Sequence, residues 1–221
     1  MSIDIRNNLK LFKERIPSDV CLLAVSKTKP ISLLQEAYDA GQRDFGENKV
    51  QELRDKYPLM PKDVRWHMIG HLQTNKVKYI APFIYMIHAV DSLKLLKEIN
   101  KRAKAADRTI KVLLQAHIAK EEAKFGFDTS ELLEIFKSED LQSFTNVCFA
   151  GLMGMATNTN DEDVVRNEFN SLQQLLKNIQ DNFSQFTDFK ELSIGMSNDY
   201  KIAIENGSTM IRIGSSIFGA R

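Results

Sequence analysis

Eight short apolar runs, each followed by a polar or glycine-bearing loop, punctuate the chain from one end to the other. They span Val20–Val25, Asp44–Gly46, Arg65–Ile69, Tyr85–Ala89, Lys111–Ile118, Cys148–Met153, Glu191–Ile194 and Met210–Ile213. Segments of helical period lie between them: Ile31–Ala40, Asn48–Lys56, Ser92–Ala105, Ser130–Lys137, Asp161–Asn182 and Asn198–Asn206. An amphipathic stretch near residues 2–15 precedes the first run, and Gly41 and Gly207 stand where helices end. Strand-type runs alternating with helices are the pattern of a parallel sheet, and eight such units favour closure into a barrel over an open sheet. The expected fold is therefore α/β: a single (β/α)8 barrel with an extra N-terminal helix. Residues 1–221 read as one domain, since no Pro/Gly/Ser linker or low-complexity stretch divides them.

Composition removes several functional classes. Thirty basic residues against 29 acidic ones leave a formal net charge of +1, so no global field attracts nucleic acid or an anionic membrane. No window reaches the roughly 20 apolar residues that a membrane span requires, and the N-terminus lacks a basic segment leading into an apolar one. Cys21 and Cys148 sit in apolar runs and suit small core residues better than a disulfide, which fits a reducing, cytoplasmic setting.

In such a barrel the loops after the strands converge on one mouth, and chemistry belongs there. The loops after the seventh and eighth runs, Gly195-Met196-Ser197-Asn198-Asp199 and Gly214-Ser215-Ser216, combine glycines with hydroxyls, and each opens a helix. Unpaired amides at a helix start attract anions, and this is the usual phosphate position of the fold. The competing reading is that Ser197 and Ser215 are ordinary N-caps and that the glycines only turn the chain. Lys27 follows the apolar run Leu22-Leu23-Ala24-Val25 by two residues, so its amine is expected in the barrel mouth. Desolvation, or repulsion from Lys29, would free it for attack on a carbonyl; otherwise it is a solvated loop residue or a point charge for phosphate. Arg212 interrupts the apolar run Met210-Ile211-Arg212-Ile213. It either pairs with a carboxylate such as Glu47 or Asp199, or stands beside a heteroaromatic ring whose nitrogen it keeps unprotonated.

Together these blocks resemble the pyridoxal phosphate homeostasis protein family, relatives of the alanine racemase barrel that lack its second domain. The resemblance runs through Leu23-Ala24-Val25-Ser26-Lys27-Thr28-Lys29-Pro30, Phe45-Gly46-Glu47-Asn48 and Trp66-His67-Met68-Ile69-Gly70-His71-Leu72-Gln73-Thr74-Asn75-Lys76. It continues through Gly151-Leu152-Met153, Ser193-Ile194-Gly195-Met196-Ser197-Asn198-Asp199 and the block from Gly207 to Arg221. It implies pyridoxal 5′-phosphate as cofactor, held as an aldimine on Lys27 with Asn48 beside it. Ser197, Gly214 and Ser215 would then hold the phosphate, with backbone help from Gly195 and Met196, and Arg212 would face the pyridine nitrogen. His117 departs from the asparagine expected there, so that side of the mouth is expected to differ.

The same resemblance implies cofactor homeostasis without established turnover, with apo pyridoxal-dependent enzymes as partners and a monomer as the default. The alternatives are an amino-acid racemase or decarboxylase, or a Schiff-base aldolase acting on a sugar phosphate. Two-base racemisation needs a second base, and Tyr38, Tyr57, Tyr79, Tyr85 and Tyr200 mostly fall on helical segments or near a strand start. Three other motifs carry no function. His67 and His71 lie across a strand end without the glutamate of a zinc site, Gly151-Leu152-Met153-Gly154 lacks the dinucleotide glycine pattern, and Lys94–Lys104 reads as a solvated helix face.

Overall fold

The computed structural model describes residues 4–119 and 126–219; the start of the amphipathic stretch expected near residues 2–15, and Ala220 and Arg221 of the terminal block, lie outside them. Eight parallel strands close into a barrel in sequence order: β1 Cys21–Val25, β2 Asp44–Glu47, β3 Arg65–Met68, β4 Met86–Val90, β5 Ile110–Gln115, β6 Val147–Met153, β7 Glu191–Ser193 and β8 Met210–Ile213. The helices are α1 Ile5–Arg15, α2 Ile31–Asp39, α3 Val50–Lys56, α4 Val77–Ile80, α5 Leu93–Ala105, α6 Thr129–Lys137, α7 Glu162–Asn182, α8 Tyr200–Glu205 and α9 Ser215–Phe218.

The helices begin and end where local chemistry demands. Asp4 caps α1 by accepting from the Asn7 amide, Ser92 caps α5, and Asp128 with Glu131 forms a reciprocal capping box on α6. Gly41 and Gly207 adopt positive φ just past α2 and α8, as their positions require. The short helix α4, which follows a turn at Thr74–Lys76 and buries Val77 and Ile80, is absent from the sequence expectation because one turn shows too little period. Strand β5 stops three residues short of the expected Ile118. Its ladder ends at Gln115, and beyond it Ala116 bridges Phe127 while the His117 amide donates to the Phe127 carbonyl at 2.8 Å.

Two apolar layers result from the period-two strands. Outward-facing Leu22, Ala24, Phe45, Trp66, Ile87, Val112, Leu114, Leu152, Leu192, Ile211 and Ile213 meet the helix shell in one continuous core. Inward-facing Leu23, Met86, Ala89, Leu113, Ala150, Met153 and Met210 fill the lumen. Each fully buried large aliphatic side chain in these layers contributes about 1.5–3 kcal/mol of transfer free energy. Closure rests on β1 pairing with β8 in the register Cys21↔Met210 to Ala24↔Ile213, which puts Leu23 opposite Arg212. Helix α1 reinforces the seam: Ile5 and Leu9 are buried, and Asn8 Nδ2 donates to the Ile217 carbonyl of α9 at 3.1 Å.

Cys21 and Cys148 are free and only half-buried, so neither is the enclosed core residue expected. Cys148 lies 3.7 Å from Asp188, and burial raises its thiol pKa. No helix among the described residues is long and apolar enough to cross a membrane.

Candidate functional site

A cleft of about 600 Å3 opens at the carboxyl ends of the strands. Lys27, Asn48, Met196, Ser197, Arg212, Gly214 and Ser215 all line it, joined by Ile69 and the loop from Met155 to Asn160. Gly195 lies just outside this lining.

Lys27 is half-buried and sits two residues past β1, between groups that pin its backbone. On one side the Ser26 hydroxyl donates to Glu47 Oε1 at 2.6 Å, and the Ser26 carbonyl accepts from Lys56 Nζ at 2.9 Å. On the other, the Thr28 amide donates to Glu52 Oε1 at 2.6 Å, with Thr28 at φ +65°. Lys29 turns its ammonium to the carbonyls of Phe218 and Gly219 at 3.1 and 2.9 Å, tying this loop to the end of α9. Glu47 is fully buried, and burial raises its carboxyl pKa against the opposing pull of Lys56 and Ser26.

Asn48 follows β2 and packs under the next loop. A Cβ on Gly70 would fall 2.5 Å from the Asn48 carbonyl oxygen, so only glycine lets β3 turn over this asparagine.

Arg212 is buried, and its partners are neutral. Nη1 donates to the carbonyl and hydroxyl of Ser193 at 2.6 and 2.7 Å, and Nη2 donates to the Gly154 carbonyl at 2.9 Å. The guanidinium thus joins the ends of β6, β7 and β8. Neither expected carboxylate pairs with it: Glu47 is committed to Ser26 and Lys56, and Asp199 Oδ1 accepts from the Met196 amide at 2.5 Å. Desolvation lowers the guanidinium pKa to about 10, which leaves it charged at neutral pH.

At the loops after β7 and β8 the two serines meet, the Ser215 hydroxyl donating to Ser197 Oγ at 3.3 Å. Neither is an N-cap, because α8 starts from Asp199 and α9 from Gly214. The amides of Ser215 and Ser216 open α9 and have no carbonyl behind them in the helix. One expectation about this region needs correction. The Met196 amide is engaged by Asp199 and is not a spare donor. Gly195, at φ +92°, makes room for α8, since a Cβ there would lie 2.5 Å from Ala203 Cβ. Gly214 makes room for Val25, whose carbonyl oxygen would be 3.2 Å from its Cβ. Gly195 thus serves packing of the chain on itself, while Gly214 packs on Val25 and also lines the cleft. His117, half-buried beyond β5, does not line the cleft.

Sequence reasoning missed the clamp of Glu47, Glu52 and Lys56 and the polar lumen beneath Arg212, where Asp44, His67, His88 and Ser193 are all buried. The signal that singled out Arg212, a polar side chain inside an apolar strand, was present at His88 and Asp44 as well. His71 is separate from that group: it is exposed and bonds Asp91 at 2.9 Å.

The chain matches the family model described as alanine racemase, N-terminal domain, over residues 3–221. A pyridoxal phosphate homeostasis protein of Vibrio alginolyticus is 38% identical over 214 residues, 94% of this chain and 89% of that relative. The protein of the same name from Escherichia coli K12 is 37% identical over 232 residues, covering 99% and 97%. PipY of Synechococcus elongatus, 33% identical, aligns over 98% of this chain and all of its own, with TM-scores of 0.93 without PLP and 0.89 with PLP bound. The chain belongs to the pyridoxal phosphate homeostasis protein family, built on the barrel of the alanine racemase N-terminal domain.

Proposed function

We propose that this protein binds pyridoxal 5′-phosphate in the cleft at the barrel mouth and serves intracellular homeostasis of that cofactor, holding it covalently through Lys27 without turning over a substrate. The observation that carries this reading is the composition of a single cleft: a half-buried primary amine, a buried arginine without a carboxylate partner, and two facing hydroxyls beside open helix amides. Each donor suits one part of the group. An amine takes an aldehyde, hydroxyls and amides take a phosphate, and a charged guanidinium accepts as neighbour a ring nitrogen that stays unprotonated. PipY, whose structure has PLP bound, supports the same assignment at 33% identity.

In this reading Ser197, Ser215 and the Gly214–Ser216 backbone hold the phosphate, Asn48 flanks the ring, and Arg212 faces its nitrogen. Gly195 and Met196 shape the loop that carries Ser197. Bound in this way, the cofactor supplies an electrophilic carbon and an electron-withdrawing ring. Arg212 weakens the ring as an electron sink by opposing its protonation. None of the five tyrosines lines the cleft, which supports a carrier over a two-base racemase. The relatives' names, homeostasis proteins rather than enzymes, point the same way. The protein acts as one cytoplasmic domain of residues 1–221, as a monomer, and passes cofactor to apo pyridoxal-dependent enzymes.

The test is spectroscopic. Purified protein mixed with pyridoxal 5′-phosphate should gain a visible band that borohydride bleaches, and the reduced adduct should map to the peptide containing Lys27. Protein that stays colourless, or is labelled elsewhere, would overturn the assignment. Transfer from loaded protein to an apo-enzyme, run beside free cofactor, tests delivery.

A further inference from the structure

We infer that Ser193, His88, His67 and Asp44 are positioning residues for Arg212, joined in a one-directional hydrogen-bond relay across the barrel lumen that fixes which guanidinium N–H groups face the cleft. The inference rests on the cofactor reading only for its consequence in the cleft; the relay itself is a property of the chain.

The links are continuous. Arg212 Nη1 lies 2.7 Å from Ser193 Oγ, and Ser193 Oγ 3.1 Å from His88 Nδ1. His88 Nε2 lies 2.9 Å from His67 Nδ1, and His67 Nε2 lies 3.1 Å from Asp44 Oδ1. Asp44 in turn accepts from Arg65 Nε at 2.6 Å, at the opposite end of the barrel. His67, His88 and Ser193 are wholly enclosed, and Asp44 and Arg212 are buried.

Both ends dictate the same direction. A guanidinium has donors and no acceptor, so Ser193 Oγ must accept from Arg212 and spend its own hydrogen elsewhere, on His88 Nδ1. A neutral His88 then carries its hydrogen on Nε2 and donates to His67 Nδ1, which leaves His67 with Nε2–H directed at Asp44. From the other end, Arg65 and His67 lower the Asp44 pKa to about 2 despite its burial, so the carboxylate only accepts. Burial lowers the pKa of both imidazoles and keeps them neutral. A cation that cannot accept and an anion that cannot donate thus bracket two rings, each left with one permitted tautomer.

Bonds aligned in one direction polarise one another, so the relay is stronger than separate pairs would be. It links Arg212, on which Asp199 acts only through space, to a second carboxylate at Asp44 through hydrogen bonds. It also commits both Nη1 hydrogens to Ser193. With one Nη2 hydrogen on Gly154, the Nε–H and the second Nη2–H have no partner among the described residues, on a side chain that lines the cleft. Those are the donors available to a ligand ring.

Two measurements test this. In cofactor-free protein with 15N-labelled histidine at neutral pH, His67 and His88 should both be neutral Nε2–H tautomers; an Nδ1–H tautomer or a charged ring at either position overturns the relay. In the second, Ser193→Ala is loaded with pyridoxal 5′-phosphate carrying 15N in its ring. Losing a hydroxyl contact to a cation should weaken retention about tenfold and move the ring-nitrogen resonance, while thermal unfolding checks the fold. A folded variant with wild-type retention and an unmoved resonance overturns the positioning role. If wild-type protein takes up no cofactor, the proposed function fails instead, and the histidine tautomers still decide the relay.

Discussion

Lys56 Nζ donates to the carbonyl of Ser26 at 2.9 Å, one residue before Lys27, although the two lie thirty positions apart. The same ammonium reaches Glu47 Oε1 at 2.8 Å and Glu52 Oε1 at 3.0 Å, so its three hydrogens have three acceptors. Glu52 passes the constraint to the Thr28 amide. A buried lysine thus sets the backbone on both sides of a second lysine whose amine it never touches. Thr28, a β-branched residue at φ +65°, carries a strain of about 1–2 kcal/mol that this clamp offsets.

Replacing Lys56 by methionine should therefore be severe. It strands the buried Glu47 carboxylate and the Ser26 carbonyl, and breaking one side of a buried pair costs about 3–5 kcal/mol. Urea unfolding measures the loss. A change below about 1 kcal/mol would mean that Glu47 is carried neutral and the clamp is held by hydrogen bonds alone.

The two phosphate-side serines separate binding from stability. The Ser197–Ser215 contact is solvent-exposed, so Ser197→Ala and Ser215→Ala should leave the unfolding midpoint unchanged. Each should weaken cofactor retention about tenfold, the effect of losing one hydrogen bond to a charged group. Equilibrium dialysis of each variant beside wild type gives the ratio.

Gly195 and Gly214 look alike in sequence and differ in what a methyl group would meet. Gly195→Ala combines φ +92° with a 2.5 Å approach to Ala203, and should destabilise by about 1–3 kcal/mol while displacing the loop that carries Ser197. Gly214→Ala meets Val25 at 3.2 Å with φ −121°, and should fold with a smaller loss. Thermal melts of the pair should rank them in that order.

Acid should weaken the fold beginning near pH 6.5. Burial lowers the pKa of His67 and His88 in the native state, so below the ordinary histidine value the unfolded chain binds protons that the folded one refuses. Their contribution is therefore present above pH 6.5 and declines as pH falls, with a slope approaching about 1.4 kcal/mol per pH unit for each ring. Asp44, lowered to about 2, adds a second decline as pH falls from about 4 toward 2. Urea unfolding at stepped pH should show both phases, and His88→Gln should reduce the slope of the first.

How much of this was legible depended on the distance over which each signal acts. The strands announced themselves because burial on both faces writes a short continuous apolar run in consecutive residues, and even β7, three residues long, stood out as Glu191–Ile194. Lys27, Ser197 and Ser215 were legible because their loops follow strands directly. The end of β5 was not: Ala116, His117 and Ile118 continue a strand-like pattern, and only pairing with Phe127, eleven residues beyond Ala116, turns them aside. The partners of Arg212 were misjudged for the same reason. A carboxylate is the obvious mate for a buried cation, whereas two backbone carbonyls and one serine become a sufficient cage only once three strand ends are brought together.

The seam between β1 and β8 has a consequence for synthesis. Lys27 emerges from the ribosome well before Arg212, Gly214 and Ser215, so the first and final strands must meet before the cleft has both walls. Such a long-range pairing is slow relative to local structure, and cofactor present during translation finds no complete site on the nascent chain. Loading therefore waits for β8, and truncation before that strand would abolish it even if most of the barrel still formed.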